Sequence, residues 1–113
     1  MRILVTAMCL TFSASNAHAD DVVNLNSLAE KVKDVMDALG PGLFQKHEIS
    51  DNNLQIYVNS TRSMKPNAAQ ATADFACTLS SNLPSMTWEE KHAVEVYVDA
   101  EERPRGLCYV GKQ

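Results

Sequence analysis

A chain of 113 residues with 45% hydrophobic residues, three cysteines and a formal net charge of −4 holds one small domain with a limited core. Its acidic balance lacks the basic stripe that neutralises phosphates, which excludes nucleic acid as a partner and disfavours anionic membrane surfaces.

The N-terminal residues read as an export leader. Met1-Arg2 brings one positive charge, residues 3–12 form a short apolar run, and a small, polar stretch ends in Ala17-His18-Ala19, the small-x-small pattern before a signal-peptidase cut. The run is shorter than the roughly twenty residues a spanning helix needs. A cut after Ala19 separates a leader, residues 1–19, from a single small α+β domain, residues 20–113. Two rival readings are an apolar core helix and lipid attachment at Cys9. The second fits poorly, because Cys9 follows Met8 in the middle of the run and not a small residue at its end. Loss of Arg2 makes the remaining chain more acidic by one unit. No other segment is apolar enough to cross a membrane, so no stable membrane insertion is expected, and the destination is the periplasm or the medium. Two cysteines remain after the cut, Cys77 and Cys108, and an oxidising compartment pairs them as a disulfide. Closing that loop contributes roughly 3–4 kcal/mol in the chain-entropy model. Free thiols or a shared metal site are the alternatives; no clustered Cys/His spacing supports the latter.

The first helix is marked by Leu28, Val32, Val35, Met36 and Leu39 at helical spacing, with Ser27 and Glu30 as a capping box and Gly40-Pro41 as its stop. Residues 44–50 are a weak strand, Asp51-Asn52-Asn53 a turn, and residues 54–59 (LQIYVN) an alternating, half-buried strand. Lys65-Pro66-Asn67 opens a second helix over residues 68–83, ended by Pro84. Its apolar side carries Ala69, Thr72, Ala76, Leu79 and Leu83, flanked by Phe75 and Cys77. Residues 94–99 (VEVYVD) form the strongest strand, Glu101–Arg105 a charged turn, and residues 106–110 a last short strand.

A shift of forty residues lays LQIYVN on VEVYVD and Leu28, Val32, Val35 and Leu39 on Ala68, Thr72, Phe75 and Leu79 without a gap. A pseudo-duplicated α-β-β unit accounts for this; so does a shared amphipathic pattern. Either way the order is α-β-β-α-β-β: a four-stranded, mainly antiparallel sheet with two helices on one face. Leu54, Ile56, Val58, Val94, Val96 and Val98 then point at the helices. A Cys77–Cys108 bond turns Cys108 and Val110 the same way and Leu107 and Tyr109 to the other.

The open sheet face therefore collects Gln55, Tyr57, Asn59, Glu95, Tyr97, Asp99, Leu107 and Tyr109. Tyrosines are favoured at interfaces and flanking acids suit a basic partner. The plainer alternative is cross-strand aromatic pairing on a solvated sheet. Aromatic sheet faces also bind single-stranded RNA, which acidity and export oppose. Trp88, in a polar segment before the third strand, is either a lid over the core edge or an anchor of the same contact.

Catalytic patterns are lacking. His47-Glu48 starts a zinc-protease motif, but Asp51 stands where the second histidine belongs. His92 near Glu89 and Glu90 reads as a solvated turn more than a partial metal site. Asp20-Asp21, Glu89-Glu90 and Glu101-Glu102 read as exposed charge. No nucleophile elbow or phosphate loop occurs. Asn59-Ser60-Thr61 is a glycosylation sequon, relevant only in a eukaryotic secretory route. No metal or cofactor is expected. The leading expectation is a non-enzymatic exported protein-binding domain (an inhibitor, immunity factor or accessory subunit). The alternatives are a self-associating envelope domain, with a homodimer through the tyrosine face, and a small hydrolase using His47 or His92.

Overall fold

The computed structural model describes residues 19–60 and 67–112. The expected leader, up to His18, lies outside the described residues, as do Thr61 of the sequon and Lys65-Pro66 ahead of the second helix. Six elements follow in order: α1 (Ala19–Leu39), β1 (Phe44–Ser50), β2 (Asn53–Val58), α2 (Ala68–Ser81), β3 (Lys91–Val98) and β4 (Gly106–Gly111). The strands make one sheet in the order β1-β2-β3-β4. Both hairpins are antiparallel and the central pair β2/β3 is parallel, so the α+β fold carries a mixed, mostly antiparallel sheet. The parallel pair follows from the connection: α2 returns the chain to the start of the sheet, as parallel neighbours require. The first hairpin turns on Asp51 and Asn52, both at positive φ (53° and 66°). A two-residue turn needs that left-handed pair to match strand twist, and Asp and Asn tolerate it.

α1 starts about two turns before Ser27, which lies inside it, so no capping box forms there. The buried stripe explains the earlier start. Asp21, Leu25, Leu28, Val32 and Met36 recur every three or four residues and all are buried, with Ala29 beside them. Val35 and Leu39, expected in the stripe, are 40% and 78% exposed. The Gly40 amide donates to Met36 O at 2.9 Å and closes the helix.

α2 ends at Ser81, and its buried face is Ala69, Ala73, Ala76 and Ser80, a rotation from the expected side. Thr72 and Leu79 are half-buried and Phe75 is exposed. Close approach of α2 to β4 selects the small residues: a Cβ on Gly106 would stand 2.2 Å from Ala69 O. The Gln70 side chain spans the same seam, donating to Leu107 O at 2.8 Å and accepting from Leu107 N at 3.1 Å. The Cys77–Cys108 disulfide links α2 to β4 with Cα atoms 6.4 Å apart. Under the helices lie Leu54, Ile56, Val58, Val94 and Val96, all fully buried, each contributing about 1.5–3 kcal/mol of burial.

The forty-residue offset is also the register of the central pair: Leu54 faces Val94, Gln55 faces Glu95 and Tyr57 faces Tyr97. The repeated piece is therefore a helix and its central strand, not an α-β-β unit. The same shift lays β1 on residues 84–90, which form no strand.

Candidate functional site

Both helices pack on one side of the sheet, and side-chain alternation carries the tyrosines to the other. Register builds two rows across that open face. Lys46, Tyr57 and Tyr97 form one; Glu48, Gln55, Glu95 and Leu107 form the next. Tyr109 follows, opposite Ala93. The rings of Tyr57 and Tyr97 stack at 5.1 Å between centroids and 18° between planes, the pairing expected of directly opposed residues. Each phenol leans back along its own strand. Tyr57 donates to Gln55 Oε1 at 3.3 Å, and Tyr97 donates to Glu95 Oε1 at 3.1 Å. Gln55 Nε2 donates to the same Glu95 oxygen at 3.3 Å.

The face is ringed by charge. Lys46 Nζ lies 4.9 Å from the Tyr57 centroid and pairs with Glu48 at 2.9 Å; Lys91 Nζ lies 4.7 Å from the Tyr109 centroid. These are cation–π contacts at an exposed site. Sequence reading misses Lys46 and Glu48 because β1 is irregular: its register shifts between Phe44 and Lys46, which breaks the alternation that places side chains; it misses Lys91 because β3 begins at Lys91, ahead of the strand expected from residue 94. Glu95, at the centre, is half-buried. Burial pushes the Tyr97 phenol above its ordinary 10.0, and the Glu95 bond and charge, with Tyr57, add to the rise against a smaller opposing effect of Gln55.

Three residues expected here are placed elsewhere. Asp99 follows the end of β3 at positive φ (52°). Its carboxylate accepts from the Ser60 amide at 2.9 Å and from the Ser60 hydroxyl, bonds that hold its carboxyl below the ordinary value. Leaving the strand conformation takes it out of the alternation. Asn59 also lies past its strand and donates to Gly42 O at 2.8 Å. Trp88 packs on the helix side, its ring 5.6 Å from that of His92. It is the lid over the core edge and lines one concavity with Tyr109.

Under that lid is a pair that sequence reading places in solvent. Asp21 and His92 have no side-chain exposure, and His92 Nε2 lies 2.6 Å from Asp21 Oδ2. His92 Nδ1 meets the Asn52 carbonyl, so that nitrogen donates. The Asp21 oxygens also accept the Glu89 and Glu90 amides at 2.9 and 3.0 Å. Burial opposes ionisation of Asp21, but the His92 bond, the two amides and the imidazole charge outweigh it and hold the carboxyl below 3.8. Asn24 ties the same loop by donating to Thr87 O at 2.7 Å. The pair thus fastens α1, the loop before β3 and the first hairpin turn to one another. Both nitrogens of His92 are engaged and neither reaches solvent. His47 is partnered by Asn26 Oδ1 at 2.8 Å.

Among the described residues no group of three His, Cys, Asp or Glu comes together as a ligand set, and no helix is long and apolar enough to cross a membrane. Two concavities, about 380 Å³ at the 101–105 turn and about 280 Å³ between Cys77, Met86 and Trp88, bring no titratable cluster into an enclosed space. No family model, curated protein or solved structure matches the chain.

Proposed function

We propose that this chain is an exported, disulfide-locked binding domain that docks a protein partner on its open sheet face, as an inhibitor, immunity factor or accessory subunit does, and performs no reaction of its own. One observation carries this reading: Tyr57 and Tyr97 are stacked and ordered by Gln55 and Glu95 on the side of the sheet that neither helix covers. Preordered aromatics surrender little entropy on contact, which makes them effective anchors. Leu107 and Tyr109, 40% and 52% exposed, extend the apolar area beside them. The leader and the disulfide fit a destination outside the cytosol.

The test is affinity capture from the cell envelope with the parent and a Tyr57→Ala/Tyr97→Ala variant. Both side chains stand on the uncovered face, so the variant keeps its core. A partner retained by the parent and lost by the variant supports the reading. Equal capture by both places the contact elsewhere, and a parent that sediments as a dimer through this face, with no other protein bound, replaces the reading with self-association.

A further inference from the structure

Among the described residues Glu95 is the one acid in the middle of the open face, and none of their cations pairs with it. Its Oε1 accepts both the Tyr97 hydroxyl and the Gln55 amide, while Oε2 has no hydrogen bond or ion pair among the described residues. The nearby cations are committed. Lys46 is paired with Glu48 and lies over Tyr57, Lys91 lies over Tyr109, and Arg105 is held by both Glu101 oxygens at 2.8 Å. Tyr57 covers one side of the Tyr97 ring, and in the next row, on the β4 side, register sets Leu107 opposite Glu95. A half-buried carboxylate beside an open aromatic face is a cation receptor. Attraction there is stronger than in bulk water, and a ring adds its quadrupole.

We propose that this slot receives an arginine side chain of the protein partner, with guanidinium N–H groups on Glu95 Oε2 and the guanidinium plane against Tyr97 and Leu107. This inference rests on the docking reading above. Arginine fits better than lysine because its planar fork both stacks on a ring and bonds a carboxylate, whereas an ammonium is a hydrated point charge. Burial first, and then the Glu95 bond and charge, raise the Tyr97 phenol; a guanidinium there offsets the part that comes from the Glu95 charge.

The experiment has two arms. In the first, the oxidised, ¹⁵N-labelled protein is titrated with N-acetyl-arginine amide, N-acetyl-lysine amide and the neutral isostere N-acetyl-citrulline amide. The expected result is saturable arginine shifts centred on Gln55, Glu95, Tyr97 and Leu107, weaker binding of lysine and no response to citrulline. Glu95→Gln, which keeps the acceptor for Tyr97 and Gln55, should weaken arginine at least about tenfold. Equal response to citrulline, equal binding by the variant, or shifts centred elsewhere overturns the proposal. In the second arm a photo-crosslinking residue replaces Ser50, an exposed β1 residue outside the slot, once in the parent background and once together with Glu95→Gln. Capture of one partner that falls at least about tenfold in the Glu95→Gln protein supports the slot. Undiminished capture overturns the slot and leaves the docking face standing, whereas no capture in the parent background in the envelope, with folding verified, overturns the docking face itself.

Discussion

Replacing Asp21 by alanine tests the account of how the two halves of the chain are joined. The substitution removes the acceptor for three donors: the Glu89 and Glu90 amides and His92 Nε2. The two amides belong to exposed residues, so water can replace the carboxylate there and their loss falls at the low end of about 1–3 kcal/mol per unmet donor. His92 has no such recourse, because its side chain is fully buried. Breaking a buried hydrogen-bonded carboxylate–imidazole pair from one side costs about 3–5 kcal/mol, and we expect Asp21→Ala to cost about that much in total. A domain of this size has about 5–14 kcal/mol in all, so the variant is left near the threshold of folding, with its Tm lower by roughly 12–40 °C at about 4–8 °C per kcal/mol. Urea unfolding followed by circular dichroism measures the difference, and Trp88 fluorescence reports locally because its ring rests on His92. The pH dependence has a definite sign. A carboxyl depressed in the folded state adds stability above its unfolded value, near 3.8, and loses it as pH falls through the lower folded value. Asp21→Asn should therefore flatten the acid limb of the stability profile. A loss under about 1 kcal/mol for Asp21→Ala, or an unchanged acid limb for Asp21→Asn, refutes the buried-pair account.

Two further outcomes follow from the same geometry. Cys77→Ser/Cys108→Ser should lower stability by roughly 3–4 kcal/mol, read by urea unfolding against the oxidised parent, and the parent should yield no alkylatable thiol at either position while folded. Ultraviolet titration at alkaline pH should show the Tyr97 phenol ionising above the ordinary 10.0. Its raised value means it adds stability below about pH 10, lost as pH climbs past the folded value. Glu95→Gln should bring that titration down, since the Glu95 charge and bond are part of its cause; an unmoved titration removes Glu95 from that role.

The legible part of the fold is the part set by repeated apolar spacing. β2 and β3 alternate cleanly, so their inward valines, Leu54 and Ile56 and their outward tyrosines are placed correctly from the sequence alone. The disulfide partners follow from counting. What escapes a sequence reading depends on contacts distant along the chain. Asp21 sits on the stripe of Leu25, Leu28, Val32 and Met36, at a spacing visible in the sequence; its charge disguises it, because a carboxylate belongs in a core only when donors meet it, and those donors lie 68 to 71 residues away. The buried face of α2 is hidden for a related reason. Hydrophobicity favours Leu79 and Phe75, whereas the close approach at Gly106 favours Ala73 and Ser80, and local composition does not announce a close approach. Asp99 is lost to a turn: strand alternation holds only while φ stays extended, and it fails at the first left-handed residue.

The forty-residue offset does more than duplicate a pattern. A parallel pair in that register sets each residue of β2 beside its counterpart in β3, so any outward residue common to both segments becomes a contiguous pair. Tyr57 and Tyr97 are common and become a stack. Gln55 and Glu95 are nearly the same in shape and differ in charge, so the amide can donate to the acid instead of two carboxylates repelling one another across the strands. Two acids at these positions would place like charges side by side in a half-buried row; two amides would leave no charge at the centre of the face. The mismatch between the two copies is what gives a nearly symmetric surface a negative point at its centre, and it is at this position that exchanging glutamine for glutamate should change recognition while leaving the stacked tyrosines and the core beneath them in place.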